Sequence, residues 1–385
     1  MNKNTKIAEL CSNNKWVIYI MAFLIGSAMG IIIPLTSTHM SKNNVSNTLI
    51  GVISSVYFFT IAFGTIFINK KMKNKDLKSL ISLGLFISSI CTLVFPRLSS
   101  GLAWFILMAL MGLGVSFHLV GTQTALHSFS DDNTRGIVSG VYTLFFALGF
   151  ASGIIGGPKM YESYVWLPFI VGATSLLIAA LMMHFKIKDK LTISTNSNKQ
   201  VIKKVSLSLQ GAFSYGFIEN TIAALYPLFL LQSNFSLSQM GYALGMFVIG
   251  GISGTLPITY ISDRIGREKG LIISVLISIL SIVGIVQFNN LNYILIFSFI
   301  AGVGVGAIYP VSLALAAQGL DSEEIISATS MFTFFYGFGS GAGPLLSSFA
   351  MDRLGNNYLF SLSLVLLVIL LPHLFGKVKN LKYVN

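Results

Sequence analysis

The sequence predicts an all-α membrane protein with twelve transmembrane helices in two six-helix halves. Of the 385 residues, 54% are hydrophobic and only 10% are charged, whereas a soluble domain carries about 25% charged residues. The apolar residues gather in twelve segments, each close to the roughly 20 residues that a helix needs to cross the hydrocarbon core. The second half of the sequence also repeats the first. Together these observations indicate a duplicated, polytopic bundle.

The twelve segments are predicted to be helices and not barrel strands. Lipid cannot satisfy open backbone groups, and the apolar runs are too long and continuous for the alternating strands of a barrel. The predicted spans are residues 16–36, 47–68, 79–95, 102–125, 137–157, 165–185, 209–232, 239–260, 270–287, 292–315, 327–349 and 357–376.

The basic residues predict the orientation of these spans. With both termini on the cytoplasmic side, 21 of the 25 lysines and arginines fall on that side. Only four fall on the outer side, namely Lys42, Arg97, Lys159 and Arg353. Cytoplasmic loops carry such an excess of positive charge. The net charge of +12 is therefore explained by topology and by contacts with lipid headgroups, and no nucleic-acid partner is expected.

A shift of 190 residues aligns the two halves from helix 2 to helix 5. The matching positions include Ser46, Gly51, Gly64, Gly112, Phe145, Gly149 and Gly153 with Ser236, Gly241, Gly254, Gly302, Phe335, Gly339 and Gly343. Helix 1 is predicted to need a small gap, because Pro34 meets Pro227 at a shift of 193. We therefore predict an N-terminal bundle over residues 1–185, a cytoplasmic linker over 186–208 and a C-terminal bundle over 209–385. Secondary transporters are commonly built from such repeats, with the substrate near the middle of the bilayer.

Glu219 is the one acidic residue that falls inside a predicted span. Placing a charged group at bilayer depth costs at least about 2.5 kcal/mol, so such residues usually serve a function. The alternative is a protonated glutamic acid that hydrogen-bonds between helices and serves packing alone. Glu219 is the leading candidate for a group that binds a cation or a proton.

The loop between helices 8 and 9 reads Ser262-Asp-Arg-Ile-Gly-Arg-Glu-Lys. Its residues Asp263, Arg264, Gly266 and Arg267 resemble the cytoplasmic loop signature of the major facilitator superfamily (MFS). The corresponding loop of the first half, from Asn69 to Asp76, keeps the basic character and lacks the Asp-Arg-x-Gly core. The resemblance implies the MFS fold and a role of this loop in the conformational cycle.

Two glycine series strengthen the resemblance. In helix 5, Gly140, Gly149 and Gly153 are spaced similarly to a motif of proton-coupled exporters of this superfamily, with Ile154 in the usual place of proline. Helix 11 has the related Gly339, Gly343 and Pro344. Close helix packing alone also accounts for these glycines. Such exporters commonly carry an arginine in helix 4, where this chain has Met108, so a proton relay through that arginine is not expected here.

The resemblance places helices 1, 4, 7 and 10 around a central cavity, with contributions from 2, 5, 8 and 11. Helical spacing puts Tyr215, Glu219 and Tyr226 on one face of helix 7, with Asn220 on the adjoining face. The remaining candidate substrate- or proton-binding residues are Tyr57, His118, Thr122, Gln123, Tyr309 and Tyr336. Such a cavity suits an amphipathic or cationic solute, because aromatic rings bind cations. Each tyrosine, and His118, can instead be an interhelical packing residue.

The sequence thus predicts a secondary active transporter of the cytoplasmic membrane that works by alternating access, with proton-coupled efflux of a small molecule as the leading interpretation. Proton-coupled uptake of a sugar, amino acid or nucleoside remains an alternative, as does a non-transporting receptor on the same fold. The expected partners are a small-molecule substrate, protons and membrane lipid, and the chain is expected to be a monomer. No catalytic pair, cofactor or metal cluster is recognised, and a phosphate-binding glycine loop is absent. An enzyme is therefore not expected.

Overall fold

The computed structural model describes residues 13–71, 77–128, 135–186 and 201–382 without residue 203. Within these ranges the chain forms twelve α-helices and two short 3-10 turns. The helices are α1 (Asn13–Lys42), α2 (Asn47–Lys71), α3 (Leu77–Val94), α4 (Gly101–Ser128), α5 (Arg135–Ser163), α6 (Leu167–Lys186), α7 (Ser206–Gln232), α8 (Leu237–Ile265), α9 (Arg267–Gln287), α10 (Leu291–Ala316), α11 (Ser322–Leu354) and α12 (Ser361–Lys382). The prediction of an all-α protein with twelve helices is confirmed, and each helix contains or closely matches one predicted span.

Ten of the twelve described helices are long and apolar enough to cross a membrane by length and composition alone. The two that are not included are α7 and α11. Both are long, at 27 and 33 residues, but their runs are interrupted by serine, threonine, tyrosine and glycine. Polar residues in the membrane tend to face the bundle interior, where other helices provide partners. The lower hydropathy of α7 and α11 therefore indicates that their polar residues contact other helices.

The chain divides into two compact units. The first comprises Met1–His39 with Thr60–Thr195, and the second comprises Met40–Phe59 with Asn196–Asn385. The first half of α2 belongs to the second unit, in which the backbone N–H of Thr48 donates to Asp352 Oδ2 at 2.7 Å. The predicted linker falls largely on residues 187–200 and 203, which lie outside the described residues, so the predicted domain boundaries stay a prediction.

In the first unit, α1 and α5 cross in close backbone contact. A Cβ atom placed on Gly26 would lie 2.2 Å from the carbonyl oxygen of Phe146. On the opposing helix, Cβ atoms on Gly149 and Gly153 would lie 2.1 and 2.2 Å from the carbonyl oxygens of Phe23 and Ser27. Any side chain would separate the helices, which is why small residues occupy such crossings.

In the second unit, α7 and α11 cross in the same way, shifted by 190 residues. Cβ atoms on Gly216, Gly339 and Gly343 would lie 2.2, 2.2 and 2.3 Å from the carbonyl oxygens of Tyr336, Phe213 and Phe217. Each of these three contacts is one of the α1–α5 contacts moved along the sequence by 190. At this crossing the repeat needs no gap, although the prolines of α1 and α7 are displaced by three residues.

The turns that follow α1 and α7 also match at a shift of 190. Asn44 and Asn234 both have positive φ angles, of 60° and 65°. The backbone N–H groups of Val45 and Phe235 donate to the carbonyl oxygens of Met40 and Leu230 at 3.1 and 3.0 Å. Asparagine tolerates the left-handed conformation better than most residues. The repeat therefore extends to local turn chemistry.

Candidate functional site

Glu219 lies on α7 between two tyrosine hydroxyls. Tyr215, one turn earlier on the same helix, donates to Oε1 at 2.6 Å. Tyr336, on α11, donates to Oε2 at 2.9 Å. Each carboxylate oxygen thus accepts one phenolic hydrogen bond, one from within the helix and one from across the helix crossing. Hydrogen bonds to a charged acceptor are the stronger kind, worth about 1.5–3 kcal/mol each.

Three tyrosine rings pack against one another beside this carboxylate. The ring centroid of Tyr309, on α10, is 5.2 Å from that of Tyr215 and 5.4 Å from that of Tyr336, and the Tyr215 and Tyr336 centroids are 5.7 Å apart. These separations are typical of aromatic pairs in contact. Tyr309 also packs edge-on against Phe332 at 5.2 Å. Phe332 belongs to a buried apolar cluster with Val201, Val205, Leu209, Ala212, Ala316 and Ala328. That cluster fixes the rings from one side.

Asn220 stabilises the crossing of α7 with α11, the helix that carries Tyr336. Its side-chain amide donates to Gly216 O at 3.1 Å and to Ser340 Oγ at 2.9 Å. Ser340 in turn donates to the carbonyl oxygen of Tyr336 at 2.8 Å. This buried chain of polar groups links α7 to α11 at the residue that follows Glu219. It holds the two helices in register, and therefore holds the Tyr336 hydroxyl at Glu219.

No described lysine, arginine or histidine forms an ion pair with Glu219. Ion pairs elsewhere in the described part of the chain join Lys204 to Glu324 and Arg267 to Asp263. Glu219, Tyr215, Tyr309 and Tyr336 keep partial solvent exposure, whereas Asn220 is buried. Among the described residues, the cluster is thus an acidic group with aromatic walls and an open side, without a built-in counter-ion. It can accept a proton or a cation.

Tyr226 does not join this cluster, although the helical spacing of α7 predicted that it would. It is buried, its hydroxyl pairs with Ser298 Oγ at 2.8 Å, and its ring packs on Phe229 and Phe360. About three turns of helix separate Tyr226 from Tyr215. The two side chains lie on the same face of α7 but at different heights, and they contact different neighbours. Its position indicates interhelical packing with a satisfied hydroxyl.

The other predicted cavity residues are placed individually. In the first unit His118 is buried, its Nδ1 lies 3.0 Å from Thr122 Oγ1, and its Nε2 has no partner among the described residues. Tyr57 is buried and packs edge-on against Phe58. The side chain of Gln123 lies outside the described residues. Whether these residues bind substrate or protons stays a prediction.

The predicted conformational loop connects α8 to α9. Gly266 has a φ of +102°, a conformation that side chains other than hydrogen rarely adopt. Arg267 lies 3.7 Å from Asp263 and donates to the carbonyl oxygen of Ala314 near the end of α10. The guanidinium of Arg264 stacks on the ring of Tyr260 at 4.4 Å. The loop thus connects the ends of α8, α9 and α10, and its role in a conformational cycle stays a prediction.

The predicted glycine series divides into two groups. Gly149, Gly153, Gly339 and Gly343 form the helix crossings described above, in line with close packing. A Cβ atom on Gly140 would meet nothing within 4 Å, so this glycine is not required by packing. Pro344 lies inside the continuous helix α11, and its carbonyl oxygen faces Gly51 of α2 in the second unit.

Two polar residues with evident partners were missed by the sequence analysis. Ser340 completes the Asn220 network, and its place one turn after Tyr336 was the available signal. His39, in the first unit, bonds the Tyr161 hydroxyl at 2.8 Å and is surrounded by the rings of Phe95, Trp104 and Phe169. No spacing in the sequence indicates that cluster, because its members are dispersed over five helices and turns.

The chain is similar in sequence to a known family of proteins and to individual members of it. The family model described as Major Facilitator Superfamily matches residues 18–212 and 208–380. The MFS-type transporter YfkF of Bacillus subtilis (strain 168) is 25% identical over 375 residues, with 95% of this chain and 96% of the relative covered. The MFS-type transporter YcaD of Escherichia coli is 23% identical over 356 residues, with 90% and 92% covered.

Solved structures with the same fold include two transporters. A bacterial homolog of the human lysosomal transporter Spinster, in an inward-facing and unoccupied conformation, has a TM-score of 0.79 at 13% identity and covers 97% of both chains. The nucleoside transporter NupG has a TM-score of 0.76 at 13% identity, with 96% of this chain and 100% of that chain covered. At such low identity these likenesses establish the fold alone.

Proposed function

The chain belongs to the Major Facilitator Superfamily and is therefore a multi-pass membrane transporter, and from this premise we propose that it exports a small cationic or amphipathic molecule in exchange for protons. Glu219 is the residue that binds either the proton or the cationic group of the substrate. The transporter resides in the cytoplasmic membrane with both termini on the cytoplasmic side, as the distribution of basic residues indicates.

The observation that carries this proposal is the doubly hydrogen-bonded carboxylate of Glu219. Both of its oxygens accept a phenolic hydrogen bond, at 2.6 and 2.9 Å, and no described basic residue neutralises it. A positively charged substrate would find there an ionic partner and three aromatic rings. Cation–π contacts add about 0.5–2 kcal/mol to such binding. An anionic substrate would be repelled by the same group.

The energies at this site favour a Glu219 that alternates between its charged and protonated forms over one that stays charged. A charged group at bilayer depth costs at least about 2.5 kcal/mol. Two hydrogen bonds to the ionised form return about 3–6 kcal/mol in total. The cost and the gain oppose each other at Glu219. A bound cation adds to the side of the charged form and so shifts the population towards it.

Exchange follows if the proton and the cation exclude each other at Glu219. A protonated Glu219 has no charge to attract the substrate, and a carboxylate paired with a cation does not take up a proton. Alternating access presents this site first to one side of the membrane and then to the other. Proton entry down its gradient then drives the substrate outwards. Tyr215 and Tyr336 orient the carboxylate in both states.

Uptake of a small metabolite with protons is the second candidate function. A structure with the same fold is a nucleoside transporter by name, and the partly exposed rings of Tyr215, Tyr309 and Tyr336 would stack on a nucleobase. A neutral nucleoside, however, would leave Glu219 without a cationic partner. A receptor that moves no solute is the third candidate, and an absence of any transport would favour it.

The proposal is tested with purified protein in proteoliposomes that contain a pH-sensitive dye. We expect tetraphenylphosphonium and ethidium to drive protons across the membrane in the direction opposite to their own movement. Uridine should not drive protons in this way. Glu219→Gln keeps the size of the side chain, removes its charge and replaces one accepting oxygen by an amide group that donates. It should reduce proton-coupled movement of these cations at least about tenfold. Glu162→Gln, at an exposed acid in the last turn of α5, is the matched control and should retain transport.

The outcomes separate the candidate functions. Full proton coupling in Glu219→Gln would exclude Glu219 as the exchange site. Uridine-driven proton movement in the same direction as uridine would favour uptake instead of export. Folding of each variant is checked by its melting temperature, so that loss of transport is not confused with loss of structure.

A further inference from the structure

An apolar groove runs along the second unit between α7, α11 and α12. Its volume is about 370 Å³, near the lower end of the roughly 300–1,000 Å³ typical of small-molecule sites. Leu209 and Phe213 of α7, Phe335 of α11, and Ile369 and Leu370 of α12 form its walls. No acidic or basic side chain lines it among the described residues. The groove is therefore suited to a hydrocarbon chain.

A polar rim lies at one end of this groove. Gln210, which lines the groove, bonds His373 Nδ1 through its Oε1 at 2.7 Å. Leu366, Leu370, His373 and Lys377 follow one another on α12 at spacings of four, three and four residues, and therefore share one face of the helix. His373 and Lys377 are both exposed. Along this face the apolar wall gives way to an imidazole and then to a cation.

The rim lies near the basic C-terminal end of α12. Lys377 follows Leu370 by seven residues, or about 10 Å along the helix axis. It lies in the basic C-terminal part of α12, which the charge distribution assigns to the cytoplasmic surface. Anionic phospholipids of the cytoplasmic leaflet attract basic residues at this depth. An apolar slot below a cation is the arrangement that one such lipid requires.

We propose that this groove is a binding site for an anionic phospholipid of the cytoplasmic leaflet. One acyl chain occupies the groove between α7, α11 and α12, and the phosphate contacts Lys377 and the exposed edge of His373. The charge complementarity at the rim selects an anionic headgroup over a zwitterionic one. Glu219 and the three tyrosines are not among the residues that line the groove.

The test uses the purified full-length protein, stripped of lipid in detergent, with dioleoyl phosphatidylglycerol or dioleoyl phosphatidylcholine added back. Native mass spectrometry counts the lipid retained, and the melting temperature reports stabilisation by binding. We expect phosphatidylglycerol to bind at least about fivefold more tightly than phosphatidylcholine, the ratio expected from one lysine near the surface. Equal retention of both lipids would overturn the proposed headgroup selection.

Adjacent residues of α12 supply the matched variants. Ile369 lines the groove and Val368 faces away from it, yet they are similarly exposed, at 52% and 54%. Ile369→Trp should fill the groove and abolish specific retention of phosphatidylglycerol, whereas Val368→Trp should leave it unchanged. The same loss or the same retention in both variants would contradict the proposal.

A second pair tests the headgroup contact without altering the groove. Lys377→Gln should weaken phosphatidylglycerol binding by about fivefold and leave phosphatidylcholine binding unchanged. Lys269→Gln, which removes an exposed lysine from the first turn of α9, should not alter either affinity. If Lys377→Gln binds phosphatidylglycerol as tightly as the unmodified protein does, Lys377 is not part of the site.

Discussion

The crossings of α1 with α5 and of α7 with α11 share a backbone geometry but differ in chemistry. Both are built on glycines that meet carbonyl oxygens at equivalent positions, 190 residues apart. The side chains around them have diverged. Where the second unit has Tyr215, Glu219, Asn220, Tyr336 and Ser340, the first has Ile25, Met29, Gly30, Phe146 and Phe150. Every polar member of the candidate site is thus replaced by an apolar residue or glycine.

This difference separates what the fold requires from what the proposed function requires. Close helix approach depends on the absence of a Cβ atom, and both copies keep that feature. An ionisable group is costly in the membrane and needs donors to hold it. Only one copy carries both the acid and its donors. The duplication produced two equivalent glycine crossings, and only one of them carries the acidic site.

The largest expected effect comes from filling either crossing. Gly26→Ala and Gly216→Ala each place a methyl group 2.2 Å from a backbone carbonyl oxygen, which cannot rotate away. We expect each to destabilise the protein by about 3 kcal/mol, at the upper end of the range for overpacking. Melting temperature and the yield of monodisperse protein measure this effect.

Gly140→Ala is the control for that pair, because nothing lies within 4 Å of its Cβ position. It should be neutral or slightly stabilising, as alanine is the better helix former. If only one of Gly26→Ala and Gly216→Ala lost much stability, the two crossings would be equivalent in geometry but not in their contribution to stability.

The next effect comes from moving the acid to the first unit. Met29 is buried, at 8% exposure, and the positions equivalent to the two phenols are Ile25 and Phe146. Met29→Glu should therefore destabilise the protein by at least about 2.5 kcal/mol, because the carboxylate lacks donors. Thermal unfolding measures the loss, and Met29→Leu should cost less than about 1.5 kcal/mol.

Restoring the donors sharpens this comparison. In Met29→Glu, the further changes Ile25→Tyr and Phe146→Tyr place phenols where the second unit has them. We expect part of the lost stability to return. No recovery would mean that the second unit holds Glu219 by features other than its two phenols.

The smallest effect comes from removing one phenolic donor. Tyr336→Phe and Tyr215→Phe should each cost about 1.5 kcal/mol or more, since each hydrogen bond reaches a charged acceptor. Tyr226→Phe removes a neutral hydrogen bond to Ser298 and should cost about 1 kcal/mol. Thermal unfolding compares the three, and proteoliposome transport should fall in the first two only. Equal behaviour of all three would indicate that Glu219 is held in its neutral form.

Much of this molecule was predictable from its sequence. The twelve spans follow from apolar runs, and the Asp263–Arg267 loop and the repeat identified the family. Glu219 was recognised because it interrupts an apolar run, and Tyr215 because it lies one turn away. Tyr336 was named as a candidate from its place in helix 11. These predictions rely on local spacing or on a constant offset.

Contacts between residues that are distant in the sequence could not be predicted. Tyr226 shares a nominal face with Glu219 yet pairs with Ser298, 72 residues away. Ser340, which orders the crossing, was not considered, and it meets Asn220 across 120 residues. Helical periodicity states which side of a helix a residue occupies, but it does not state which neighbouring helix lies there or at what height.

The sequence by itself determined that this is a membrane protein, how many helices the described residues form, that the halves are duplicated, and that Glu219 interrupts an apolar run. The bilayer imposes these features on each segment separately, because lipid accepts neither charge nor unpaired backbone groups. Only the tertiary structure decided that two phenols from different helices would meet that acid. The height at which two helices cross is set by which glycines allow their backbones to touch, and no single segment contains that information.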